Sequence, residues 1–205
     1  MRIRLALAVG FVCLAGISVA SAVDDDAAFA RLKALIPPGE TSALCLARTY
    51  DAKHLDAHPK QKVTKLILSM RYVPLSEEYV ILESRDDGGT DKRYFRYDFT
   101  LAANVKGQEH TLYAYGDCSS AQGIGCGVDC DGGGFEIEPI AGDKDSILMR
   151  LEREHGGFIR MTIGCDGGDH EYNLNAGEDD KLFKLEKAPT SVCETMQADY
   201  AKLVQ

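Results

Sequence analysis

Five short stretches place carboxylates in flexible backbone: RDDGGTD (85–91), VDCDGGG (128–134), AGDKD (141–145), GCDGGDH (164–170) and AGEDD (176–180). Carboxylate and carbonyl oxygens gathered at a bend are the ligand set of calcium. Asp129, Asp131, Asp166 and Asp169 are the residues that would hold such an ion. None of these stretches matches the twelve-residue EF-hand loop or the glycine-rich nonapeptide calcium repeat. Asp and Gly are also the ordinary residues of solvated turns. Calcium is therefore the one cofactor these residues suggest, and no other is indicated.

Other chemistry is less marked. In KHLDAHPK, His54 and His58 stand four apart and would share a helix face, but Pro59 follows and no third metal ligand is apparent. His110, His155 and His170 lie near expected turns and form no local motif. Ser119 and Ser120 in GDCSSAQG lack the G-x-S-x-G elbow of a serine hydrolase. GIGCGVDCDGGG is rich in glycine but lacks the Lys-Ser/Thr and following helix of a phosphate-binding loop. Acid–base carboxylate pairs assemble in three dimensions and leave no fixed spacing, so Glu136, Glu138 and Glu171 stay open as candidates. A non-catalytic role fits these residues better than an enzymatic one.

The cysteines speak to compartment. Residues 1–22, MRIRLALAVGFVCLAGISVASA, have the pattern of a secretory signal peptide: Arg2 and Arg4, an apolar run, and Ala20-Ser21-Ala22 as the cleavage site. Gly10-Phe11-Val12 before Cys13 does not fit a lipoprotein signal. Removing this segment leaves Cys45, Cys118, Cys126, Cys130, Cys165 and Cys193, an even set expected to form three disulfides in an oxidising compartment, periplasmic or extracellular. The C-x7-C-x3-C spacing of Cys118, Cys126 and Cys130 matches no common zinc pattern. Fifteen pairings are possible. The arrangement Cys45–Cys193, Cys118–Cys126 and Cys130–Cys165 would tie the chain ends together and staple neighbouring hairpins. The net charge of −9 becomes two units more negative once Arg2 and Arg4 leave, which disfavours nucleic acid as a partner. No second apolar stretch approaches membrane-spanning length.

Residues 23–205 read as one β-rich domain. DDDAAFARLKALIPPGE begins it with a helix that brings Phe29, Leu32 and Ile36 to one face and stops at Pro37-Pro38. TSVCETMQADYAKLVQ ends it with a second helix, Ser191 and Glu194 forming a capping box. Both are expected to pack on the outside of a sheet. Between them the period is two. KVTKLILSMRY and EYVILES flank VPLSE as a hairpin, and Phe95, Tyr97, Phe99 and Leu101 alternate with Arg96, Asp98 and Thr100. HTLYAYGDC is the partner strand of that segment.

CDGGGFEIEPIAGDKD, from Cys130, returns thirty-five residues later as CDGGDHEYNLNAGEDD. Each copy reads as strand, Ala-Gly-acidic turn, strand, so residues 130–152 and 165–187 are expected to be one hairpin used twice, with GGFIRMTIG between them. The whole adds up to about eight to ten short strands in an antiparallel sandwich or barrel, flanked by short helices and stapled by disulfides.

Tyr94, Arg96, Tyr113 and Tyr115 fall on adjacent strands and would form an exposed aromatic and basic surface suited to a protein or glycan. Residues 117–134 are the candidate for a projecting, disulfide-held loop of the kind that inhibits a hydrolase.

LCLARTYDAKHLDAHPKQKVTKL, GCGVDCDGGGFEI and DKLFKLEKAPTSVC together resemble segments of uncharacterised exported proteins of alphaproteobacteria, CGVDCDGG being the most distinctive. The resemblance spans most of residues 23–205 and implies a periplasmic or secreted location; no activity or ligand comes with it. The expected role is an exported binding or envelope-associated module acting on an envelope or extracellular protein or glycan. The alternatives are a periplasmic hydrolase inhibitor and a hydrolase using carboxylates or calcium.

Overall fold

The computed structural model describes residues 30, 32–39, 42–84, 88–93, 95–119, 124–151, 157–162, 165 and 171–203. The expected signal segment and Phe29 lie outside these residues.

The long strands close on themselves. β1 (Ala43–Thr49) and β2 (Val63–Pro74) form an antiparallel pair connected through α1 (Ala52–Ala57). β5 (Phe95–Val105) and β6 (Leu112–Ser119) follow, then β7 (Ile124–Val128), β8 (Gly134–Pro139) and β9 (Ser146–Arg150). β12 (Leu182–Lys187) pairs with β9 on one side and β1 on the other. The order β1-β12-β9-β8-β7-β6-β5-β2 is a closed eight-stranded barrel, which resolves the sandwich-or-barrel alternative. Every ladder in it is antiparallel.

Alternation along β5 sorts its residues as the period of two requires. Tyr97, Phe99 and Leu101 are buried in the lumen with Leu66, Leu68, Met70, Phe135, Ile137, Met149, Phe183 and Leu185. Arg96, Asp98 and Thr100 face outward. Phe99 meets Phe135 edge to face at 4.9 Å, and the lumen is a packed core.

Two departures from the expected pairing have the same cause. β2 does not return through VPLSE into a hairpin. A 3₁₀ turn at Glu77–Tyr79 intervenes, and β3 (Ile81–Ser84) pairs with β4 (Thr90–Arg93) in a separate two-stranded sheet, while β2 pairs with β5 over its full length. Likewise, the first repeated unit is a hairpin, β8 with β9, but the second is not. There β11 (Tyr172–Asn175) pairs with β10 (Phe158–Met161), and β12 leaves to complete the barrel. In both cases a long-range barrel partner outcompetes the neighbour in sequence.

The barrel ends are closed by different means. Residues 32–35 are helical, but they do not lie on the outside of a sheet: Leu32 and Ile36 are fully buried in the lumen cluster. The Tyr97 hydroxyl donates to the Ile36 carbonyl at 3.0 Å, fixing the segment across this end. At the other end β10 and β11 fold over, adding Ile159, Met161 and Leu174 to the same cluster. Gly133 (φ +72°) permits the closest approach there, since a β-carbon would collide with the Phe158 carbonyl.

α2 (Thr190–Leu203) does pack outside, as expected. It crosses the outer wall over a second cluster of Cys45, Ile67, Ala102, Tyr113, Cys193 and Met196. All three expected disulfides are present. Cys45–Cys193, 5.8 Å between α-carbons, ties α2 to β1; Cys118–Cys126 links paired residues of β6 and β7; Cys130–Cys165 links the β7–β8 turn to the segment after β10. Within 117–134, the candidate for an inhibitory loop, residues 117–119 and 124–128 are strands of the barrel wall and 129–133 form the turn between β7 and β8, residues 120–123 lying outside the described residues.

Candidate functional site

The outer faces of β2, β5 and β6 carry a row of polar residues set by register. Arg71 stands opposite Asp98, Asp98 opposite Asp117, and Asp117 opposite Gly127 of β7. The neighbouring row is Ser69, Thr100 and Tyr115. α2 covers one side of this surface and leaves the other open. The result is a groove of about 400 Å³ lined on the wall by Arg71, Arg96, Asp98, Tyr115, Asp117 and Asp129 and on the helix by Gln197 and Tyr200.

The helix wall is held in place. Cys193 is bonded to Cys45, Gln197 Nε2 donates to Ser69 Oγ at 3.0 Å, and the Tyr200 ring lies 5.4 Å from Tyr113 and 6.2 Å from Tyr115. At the floor, β6 and β7 approach so closely that a β-carbon at position 116 would fall on the Gly127 carbonyl oxygen.

Charge in the groove is unevenly compensated. Arg96 Nε lies 2.6 Å from Asp98 Oδ1, a Coulombic contact, since that oxygen has no partner in hydrogen-bonding geometry. Arg71 reaches Asp98 Oδ2 at 3.4 Å. Both arginines are thus turned to Asp98. Among the described residues neither Asp117 nor Asp129 has an ion-pair partner within 4.0 Å. The Asp129 carboxyl is pushed up from its ordinary value by partial burial and then by Asp117, with Arg96 opposing and Asp98 reinforcing the shift. The Tyr200 hydroxyl is likewise pushed up, by burial, Tyr115 and Asp129.

The structure redistributes the residues singled out in the sequence. Arg96 and Tyr115, expected in a binding surface, and Asp129, expected to bind calcium, meet in this one groove. Tyr113 is buried beneath α2 and is not part of an exposed surface, because the helix covers that end of β6. Tyr94, Asp166, Asp169, His155 and His170 lie outside the described residues. Asp131 is exposed in the β7–β8 turn, where it and Cys130 adopt left-handed backbone (φ 57° and 63°). Among the described residues no group of three or more His, Cys, Asp or Glu is placed to hold a metal ion.

Two acidic turns bond to the protein itself. In AGEDD, Asp180 is buried and accepts the Lys62 and Val63 amides at 2.6 and 3.2 Å; Asp179 accepts the Lys60 amide at 3.0 Å, and Glu178 pairs with Lys60. In AGDKD, Asp143 accepts the Asp145 amide at 3.0 Å and pairs with Lys184. His54 and His58 do share one face of α1, their rings stacked at 4.4 Å. Asp179 Oδ1 lies 3.8 Å from His58, and Gln61 Oε1 lies 3.0 Å from His54.

Arg71, Asp98, Asp117, Gln197 and Tyr200 were not singled out as site residues. Asp98 and Asp117 carried a signal, since they share strand parity with Arg96 and with Tyr115. Gln197 and Tyr200 carried none, because helical spacing shows only that a face is buried. No helix among the described residues is long and apolar enough to cross a membrane. No family model, no curated protein and no solved structure matches the chain.

Proposed function

We propose that the protein is an exported, non-catalytic binding module, and that its ligand occupies the outer groove between α2 and β5–β6. One observation carries the reading. A disulfide-anchored helix and a rigid barrel wall hold two tyrosine rings, two arginines and three aspartates around one open cavity of about 400 Å³. The lumen is packed with apolar side chains, so the reading assigns recognition to the wall. Disulfides and the signal-like N terminus support a periplasmic or secreted location.

The experiment is chemical-shift mapping of the oxidised protein against a basic peptide, an acidic peptide and a chitin oligosaccharide. Saturable shifts confined to the amides of Tyr115, Asp117, Gln197 and Tyr200 are expected with at least one probe. Shifts only elsewhere, or none at millimolar probe, would remove the groove from consideration.

A hydrolytic reading has one observation in its favour, the raised Asp129 carboxyl beside Asp117, which is the arrangement of a general acid near a carboxylate. Turnover of aryl glycosides that disappears in Asp129→Asn would establish it; absence of turnover in the wild type would retire it.

A further inference from the structure

Resting on the groove as the binding site, the geometry points to its occupant: a basic segment of a partner protein that sets a lysine or arginine side chain beside the Tyr115 and Tyr200 rings and against Asp117 and Asp129.

Three independent features converge on a cation. The first is register. Directly opposed carboxylates destabilise an antiparallel ladder, yet Asp98 and Asp117 face each other across β5 and β6. The second is the distribution of countercharge. Arg71 and Arg96 both serve Asp98, which leaves the negative charge of Asp117 and Asp129 facing the cavity, with no side chain at Gly127 to answer it. The Asp129 carboxyl is raised first by partial burial and second by Asp117, so the neighbouring negative charge is felt there. The third is aromatic. Tyr115 and Tyr200, with centroids 6.2 Å apart, both line the same cavity, and a cation held between carboxylates and an aromatic ring gains from both.

The source of the cation follows from shape and charge. The groove is open to solvent between a helix and a sheet face, which suits a side chain presented on a polypeptide segment better than an enclosed small molecule. A chain of net charge −9 also steers basic partners toward itself and repels acidic ones.

Binding isotherms of the full oxidised chain test this, using a peptide alternating lysine with serine, its glutamate counterpart, spermidine and a chitin oligosaccharide. The lysine peptide is expected to bind. Its affinity should fall about fivefold in Asp117→Asn and again in Asp129→Asn, the scale of partly exposed charge pairs, and fall further as salt is raised. Neither variant should melt below the wild type, which separates lost recognition from lost folding. Binding of the glutamate peptide or the oligosaccharide in place of the lysine peptide overturns the cationic partner while leaving the groove as a site. Spermidine binding as tightly as the peptide overturns the protein source. Groove amides that respond to no probe overturn the proposal and the proposed function together.

Discussion

Tyr97 on β5 donates its hydroxyl hydrogen to the carbonyl of Ile36, 61 residues earlier in the chain. This bond joins the barrel wall to the segment that closes one end. Tyr97→Phe keeps the ring and removes the donor, leaving a buried carbonyl unsatisfied. A loss of about 1–2 kcal/mol is expected. For a chain of this size that lowers Tm by about 2–8 °C. Limited proteolysis near residues 37–39 should accelerate in the same variant. Unchanged melting and unchanged proteolysis would mean that the packing of the end segment, Leu32 and Ile36 foremost, holds it without this bond.

Asp180 locks the 176–180 turn to the start of β2 through the Lys62 and Val63 amides. Its carboxyl is nonetheless pushed above the ordinary value of 3.8, because burial outweighs the two donated hydrogen bonds. The sign follows directly. The folded state holds this proton more tightly than the unfolded chain, so the stabilising contribution of protonation is complete below 3.8 and is lost as pH rises through the higher folded value. Relative to Asp180→Asn, wild-type stability should therefore fall as pH rises across that window. Urea midpoints at a series of acidic pH values measure it, and a difference that grows with pH would show the hydrogen bonds to be the larger effect.

The disulfides differ in the loops they close. Cys45–Cys193 spans 148 residues and Cys118–Cys126 spans 8. Chain entropy assigns about 5 kcal/mol to the first and about 2.5 kcal/mol to the second. Paired alanine substitutions should lower Tm by about 10–20 °C and about 5–10 °C respectively. The same loss reported for both pairs would show that native packing of the sulfurs, not the length of the loop, controls their contribution.

Asp98 and Asp117 oppose each other with two arginines on one side only. Asp117→Asn removes the repulsion and keeps the shape, and a gain of up to about 1 kcal/mol is expected. Scanning calorimetry should find Tm raised by about 1–4 °C, and the gain should shrink in high salt. A lower Tm would mean that Asp117 has a stabilising partner in solution.

Much of the wall was legible in the sequence because a period of two is a local signal. β5 reads directly from Phe95 to Leu101, and its partner β6 follows one turn later. The disulfide pairing matches the arrangement chosen from fifteen, in which the two cysteines near the chain ends join and those beside glycine-rich turns staple neighbouring hairpins, although spacing alone does not single it out. Closure was not, because it depends on β12 finding β1, a contact between opposite ends of the chain. The helical spacing of Leu32 and Ile36 showed a buried face but not that the face enters the lumen. The groove was the least legible part. Arg96, Tyr115 and Asp129 stood out separately, yet their meeting depends on strand register and on where a terminal helix comes to rest, and neither is encoded within a short window.

Closing the barrel also bears on self-association. Ring closure leaves little unpaired backbone on the wall to template another chain, the seam being β1 against β12 at Leu46–Lys187 and Ala47–Glu186. Among the described residues, the separate two-stranded sheets β3–β4 and β10–β11 present further edges. β10–β11 contributes to the core, whereas beside β3–β4 Tyr79 and Leu82 are 68% and 63% exposed. An exposed apolar side chain and a free backbone edge thus coincide in one short hairpin, and a charged residue in place of Leu82, which does not line the groove, would protect the protein in storage.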